Sequence, residues 1–272
     1  MALSLINLLP QPGRIVGGKV LLSDEDLVTA PNERLRAVRG QEVGVVFQEP
    51  GATLNPVYTV GSQIREVLEL HRGLGRREAE RETTRLLGAT GIPDPEKRAK
   101  SYPFQLSGGM RQRAAIAMAV STRPKLLIAD EPTTALDVTV QAEILDLLRG
   151  LQEQYRMAIL IITHDLGVVA QIAQRVLVMY AGKFVESAPV EALFSAPKHP
   201  YTQGLLESVR RRGDRNAPLR GIPGSVPDLF RLPSGCSFHP RCPVGDASCR
   251  SEFPPMVGLS SDRSCACYKV ER

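Results

Sequence analysis

The sequence predicts an α/β fold built on a mostly parallel sheet. Short aliphatic, β-branched runs bounded by turns, at residues 42–47, 125–129, 158–162 and 175–179, have the length and texture of strands. Helical periodicity fills the chain between and after them, at residues 64–74, 77–90, 109–120, 138–155 and 166–173. Strands that alternate with helices pair in parallel, because each crossover returns the chain to the same end of the sheet. Consecutive helices without an intervening strand make residues 57–120, approximately, a helical insertion. After Ser187 the texture turns to Pro, Gly, Arg and Cys. Residues 1–190 are therefore expected to form the α/β body and residues 191–272 a C-terminal extension.

Composition sets the outer limits. The 272 residues are 43% hydrophobic and 23% charged, an ordinary globular balance. No apolar run approaches the ~20 residues that a membrane-spanning helix needs. The opening MALSLINLL is apolar but has no basic residues before it and no small-residue cleavage site after it, so it reads as a helix rather than a secretory leader. The net charge of +5 is mild, and Lys and Arg are dispersed without an aromatic stripe, so nucleic acid is not an expected partner.

The first motif is GRIVGGKV, residues 13–20, which has the G-x-x-x-x-G-K spacing of a phosphate-binding P-loop. A working P-loop follows a strand and opens a helix with its Lys and Ser/Thr. Here LLPQP precedes, broken by prolines, and the strand-like VLL follows; Val20 has no hydroxyl for Mg²⁺. The stretch reads as a decoy.

Further along, VVFQEP places Gln48 directly after a strand, suited to reaching a metal or a water, though a lone Gln there is as well explained structurally. In LSGGMRQR, Ser107 stands at a helix N-cap before Gly108 and Gly109. Backbone N–H groups at such a start, unscreened by side chains, can hold an anion, and they equally suit a plain cap. KLLIADEPTTALD, residues 125–137, brings Asp130 and Glu131 to the carboxyl end of a buried strand, where open α/β sheets place ligands. An Asp there can hold Mg²⁺ through water, and an adjacent Glu can orient a water for phosphoryl transfer; a solvated acidic turn is the plainer alternative. ILIITHD ends another strand with His164, in reach of a terminal phosphate or serving only packing.

In this order and spacing the motifs resemble the nucleotide-binding subunit of ABC transporters. The resemblance implies a P-loop NTPase-like fold with a helical subdomain. It makes Gln48 the Q-loop glutamine, Ser107, Gly108 and Gly109 the core of the signature, Asp130 the Mg²⁺ aspartate, Glu131 the catalytic glutamate, residues 134–137 with Asp137 the D-loop, and His164 the switch histidine. The tail stretches HPYTQGLLESV (199–209), IPGSVPDL (222–229) and GCSFHPRCP (235–243) are similar to the C-terminal extension of importers of the oligopeptide/dipeptide/nickel class. By that likeness the chain is expected to energise import of peptides, or of a solute such as nickel, with ATP and Mg²⁺. It would sit peripherally at the cytoplasmic face of the inner membrane, paired head to tail with a second ABC ATPase subunit. Two transmembrane permeases would hold it, and an extracellular solute-binding protein would act indirectly. Gln48 and the helical insertion would relay closure to the permeases. A non-catalytic partner that supplies only its signature face is the alternative. An ABC protein of ribosomes or DNA repair is disfavoured by the tail and the single cassette.

The same likeness aligns residues 1–9 with the body of the helix that follows the P-loop, and residues 10–27 with the stretch after it. The phosphate cradle, the strand before it and an adenine-stacking aromatic are then expected upstream of this sequence. The expectation is that the sequence as it stands does not bind ATP productively at its own Walker B face, while its signature can still close over ATP held by a partner. Because every other motif is intact, an internal Met1 is favoured over evolved loss.

All five cysteines lie between Cys236 and Cys267. Without an export signal this clustering favours metal ligation over disulfides, with Zn²⁺, an iron–sulfur cluster or free thiols all open. The resemblance implies a [4Fe–4S] cluster on Cys236, Cys242, Cys249 and Cys267, the match at ACY selecting Cys267 over Cys265. His239, beside Pro240, reads as structural.

Overall fold

The computed structural model describes residues 1–48, 53–134, 136–208 and 221–270. Glu49 and Pro50 of the Gln48 motif, Ala135 of residues 134–137 and Val209 at the end of the first tail stretch lie outside the described residues. The chain forms two compact units, Met1–His164 and Asp165–Arg272.

The first unit opens with a short helix α1 (Ala2–Leu5), a hairpin of β1 (Leu21–Leu22) and β2 (Glu25–Asp26), and helix α2 (Asn32–Ala37) continuing into a π-helical turn at Val38–Glu42. The helix expected over residues 1–9 is thus confined to its first turn. Asn7 takes a left-handed φ of 50°, which ends the helix before Pro10. Ala2 and Ile6 are buried against Leu27, Leu35, Val38, Val43 and Ile128, so the apolar character of this segment serves the core.

Three parallel strands follow in the order β3 (Val43–Val46), β4 (Leu126–Asp130), β5 (Ala158–Ile162). Val43 pairs with Leu126 and Leu126 with Ala158, so the three carboxyl ends lie in register on one side. Leu127, Ile128 and Ala129 of the central strand are fully buried, as an unbroken aliphatic run predicts for a strand covered on both faces. Gly44 lets β3 pass close to the helix that precedes β4: a Cβ there would stand 2.4 Å from the Ala119 carbonyl oxygen.

The helical insertion comprises α3 (Val60–Arg72), α4 (Arg76–Ala89), α5 (Pro95–Ala99) and α6 (Gly108–Val120). Helix α3 starts four residues before the periodicity suggests because Thr59 caps it, accepting the Ser62 N–H at 3.3 Å. It ends at Gly73, whose φ of 64° is the left-handed conformation that closes a helix. Helix α7 (Val138–Tyr155) joins β4 to β5.

The second unit holds α8 (Leu166–Ile172), β6 (Arg175–Tyr180), β7 (Lys183–Pro189), α9 (Val190–Ser195), α10 (Pro200–Glu207), β8 (Val257–Ser260) and β9 (Arg263–Cys265). Its strands β6, β7, β9 and β8 pair antiparallel in that order in a separate sheet, so among the described residues parallel pairing is confined to the first unit. Ala181 and Gly182, at φ 46° and 78°, make the two-residue turn of the β6–β7 hairpin. Strand β7 runs through the compositional change after Ser187 and pairs with β6 on one side and β9 on the other. The change in texture near residue 190 is therefore not where the compact units divide. Tyr180, Val185, Leu193 and Phe238 anchor the unit's core.

Candidate active site

Three candidate residues come from the carboxyl ends of three adjacent parallel strands. Gln48 follows β3, Glu131 follows β4 and His164 follows β5, each within two residues of its strand's last member. The Gln48 amide donates to Glu131 Oε2 at 3.0 Å, and His164 Nδ1 lies 3.0 Å from Glu131 Oε1. Residues separated by 83 and 33 positions thus meet on one carboxylate.

The backbone fixes that carboxylate. Glu131 has a left-handed φ of 48°, and its N–H donates to the Ile162 carbonyl of β5 at 2.8 Å. A non-glycine residue in that region is strained and persists where its surroundings hold it. Thr134 closes the turn, its N–H donating to the Glu131 carbonyl at 3.1 Å and its hydroxyl to Glu131 Oε2 at 2.7 Å. Thr134 was expected only as part of a loop segment; a hydroxyl three residues after the acid is the signal that reveals its contact. The Thr134 hydroxyl first, and His164 next, hold the Glu131 carboxyl below the usual carboxylate range.

Asp130 behaves differently. Burial pushes its carboxyl up and the neighbouring Glu131 adds to the effect, while the Met1 ammonium pulls the other way. Its carboxylate has no hydrogen-bond or ion-pair partner among the described residues. A partly buried, unpartnered carboxylate at a strand end suits a divalent cation, whose charge would offset the cost of ionising there.

A second group gathers where helices α6 and α7 begin. Ser107 caps α6, its Oγ accepting the Met110 N–H at 3.3 Å; Asp137 caps α7, its Oδ1 accepting the Val140 N–H at 3.0 Å. A Cβ on Gly109 would meet Val140 Cγ1 at 3.0 Å, so this glycine lets the two helix starts approach. A Cβ on Gly108 would meet nothing within 4 Å, leaving its backbone open to a ligand.

Residues 13–20 form no phosphate cradle. They lead into the β1–β2 hairpin, where Val20 donates its N–H to Asp26 Oδ1 at 3.2 Å and accepts the Leu27 N–H at 2.8 Å. Lys19 therefore precedes a strand and not a helix.

In the second unit Cys236, Cys242, Cys249 and Cys267 line one cavity of about 10 Å³, room for about one water. Cys265 is absent from that lining; it is buried opposite Glu186, and burial, with Glu186 adding, pushes its thiol up to about 12. Burial also raises the thiols of Cys236, Cys242 and Cys267, which opposes the thiolate form that ligates metal. Among the described residues no group of three or more His, Cys, Asp or Glu is arranged to hold a metal ion. The expected ligands therefore share a cavity without making a ready coordination shell. His239 is tied to the backbone, Nδ1 lying 2.9 Å from the Cys236 carbonyl. Among the described residues no helix is long and apolar enough to cross a membrane.

Comparison with known proteins gives the family. Residues 2–134 match the ABC transporter family, and residues 185–249 match the oligopeptide/dipeptide transporter, C-terminal region. A Brucella ovis protein named "Putative peptide import ATP-binding protein" is 51% identical over 98% of this chain and 83% of its own length. A Brucella abortus protein of the same description is 48% identical over 98% of this chain and 80% of its own. Among solved structures, the dimeric ATP-binding cassette MJ0796 bound to ADP and Pi is similar at TM-score 0.60 and 26% identity, covering 69% of this chain and 79% of that one. The chain belongs to the ABC transporter family of ATP-binding proteins, in the branch that carries the oligopeptide/dipeptide transporter C-terminal region.

Proposed function

We propose that this chain is the ATP-binding subunit that energises import of peptides, or of a related solute such as nickel, across the cytoplasmic membrane. The observation that carries this reading is the Glu131 carboxylate, held between Gln48, Thr134 and His164 at the ends of three parallel strands. Glu131 would orient the attacking water, with His164 near the terminal phosphate. Asp130 would hold Mg²⁺, which neutralises charge on the phosphates when bound. Gln48, between the strand ends and the helical insertion, would sense the nucleotide. Ser107, Gly108, Gly109 and Asp137 would face ATP bound by a second ABC subunit paired head to tail. Two permeases at the inner membrane would couple closure to transport, with an extracellular solute-binding protein delivering cargo. Replacing Glu131 by Gln in the importer assembled from full-length subunits is expected to cut ATP turnover at least about 100-fold. Wild-type turnover in that variant would overturn the reading.

A second reading is a non-catalytic partner: Ser107, Gly108 and Gly109 at the start of α6, where a Cβ on Gly108 would meet nothing within 4 Å, would complete a second subunit's site through the signature face alone. Ser107→Arg would then lower turnover of the assembled importer while Glu131→Gln would not.

In the tail, Cys236, Cys242, Cys249 and Cys267 share a cavity with room for about one water, and no group among the described residues is arranged to hold a metal ion, so a [4Fe–4S] cluster does not fit these thiols as they stand.

A further inference from the structure

We infer that Thr134 is a positioning residue for Glu131: its hydroxyl fills Oε2 and leaves Oε1, beside His164, as the oxygen that takes the attacking water. The inference rests on the ATPase reading above and deepens it.

An ionised carboxylate offers about four acceptor sites, two on each oxygen. Oε2 receives the Thr134 hydroxyl at 2.7 Å and the Gln48 amide at 3.0 Å, which uses both of its sites. Among the described residues Oε1 faces only His164 Nδ1, at 3.0 Å, which leaves one acceptor site there open. A water bound at that site lies next to the imidazole, whereas a water on Oε2 would have to displace a donor. The hydroxyl is aimed by the chain itself. The Thr134 N–H to Glu131 carbonyl bond closes the turn at 3.1 Å, and the Glu131 N–H to Ile162 carbonyl bond anchors it to β5 at 2.8 Å. The neighbouring Thr133 is buried; Thr134 is exposed, and the only side chain among those described to which it donates is Glu131.

The test is steady-state ATP turnover of the importer assembled from full-length subunits. Thr134→Val keeps the shape and removes the hydroxyl; it is expected to lower kcat about tenfold with KM for ATP unchanged. Thr134→Ser keeps the donor and should stay within about twofold of wild type. Wild-type kcat in Thr134→Val, while Glu131→Gln is impaired, overturns the role of Thr134 alone. Equal losses in the Val and Ser variants assign Thr134 a packing role and overturn it as well. Wild-type kcat in Glu131→Gln overturns the ATPase reading and this inference together.

Discussion

The carboxylate of Glu186, fully buried, accepts the backbone N–H of His199 at 2.8 Å. It also accepts the Lys198 N–H at 2.9 Å and pairs with Arg263 Nη2 at 2.9 Å. One side chain thus ties β7, the entry to α10 and β9 together. Arg263 gives a further hydrogen bond to the Ala196 carbonyl. Breaking one side of a buried, hydrogen-bonded ion pair leaves the other charge unpaired. Glu186→Gln is therefore expected to destabilise the protein by about 3 kcal/mol, read as a lower urea midpoint at unchanged slope. A midpoint equal to wild type would show that Arg263 finds another partner.

His199 predicts a pH dependence. Its Nδ1 accepts the Tyr201 N–H at 3.0 Å, and burial, against the pull of Glu186, lowers its pKa from 6.5 to about 4. The unfolded chain therefore takes up the proton before the folded one does. The associated stability is fully present above pH 6.5 and is lost as pH falls toward about 4. The loss reaches up to about 3 kcal/mol at the lower end of that window. In denaturant melts wild type should lose stability from pH 6.5 down to 4, and His199→Gln, which has no imidazole to protonate, should lose less over the same window. Identical slopes between pH 4 and 6.5 in both proteins would refute the assignment.

Much of this was legible in the sequence, for definable reasons. Strands β4 and β5 announce themselves because an aliphatic run such as LLIAD is what a covered parallel strand requires. Asp130, Glu131 and His164 were placed correctly at strand ends because those ends follow from the runs. What stayed hidden needed contacts across the chain. No local pattern says that Gln48 reaches Glu131 across 83 positions. The N-terminal nonapeptide misled because its apolar periodicity continues past Asn7, where a left-handed residue stops the helix. In the tail, composition changes at Ser187 while hydrogen bonding does not, since β7 needs β9 as its partner.

Gly44 gives a stability test of the contact between β3 and α6. A methyl group at this position would stand 2.4 Å from the Ala119 carbonyl oxygen, a backbone atom that cannot rotate away. Gly44→Ala should lower stability by about 1–3 kcal/mol, read as a fall in thermal midpoint. An unchanged midpoint would mean that β3 shifts freely against α6.

Gly108 and Gly109 should respond oppositely to the same substitution, which separates fold from function at the start of α6. Alanine at Gly108 meets open space within 4 Å, so its methyl costs the fold nothing, and removing a helical glycine gains up to about 1 kcal/mol. Alanine at Gly109 meets Val140 Cγ1 at 3.0 Å, and the valine must give way for α6 and α7 to keep their approach. Gly109→Ala should therefore be the less stable of the two in a denaturant melt. Turnover reverses the ranking of concern for Gly108: if its bare backbone faces ATP held by a second subunit, the methyl intrudes on that ligand. Gly108→Ala is expected to melt at or above wild type and yet to lower ATP turnover of the assembled importer about tenfold or more. Full turnover in that variant would show that the open space beside Gly108 is not where nucleotide is met.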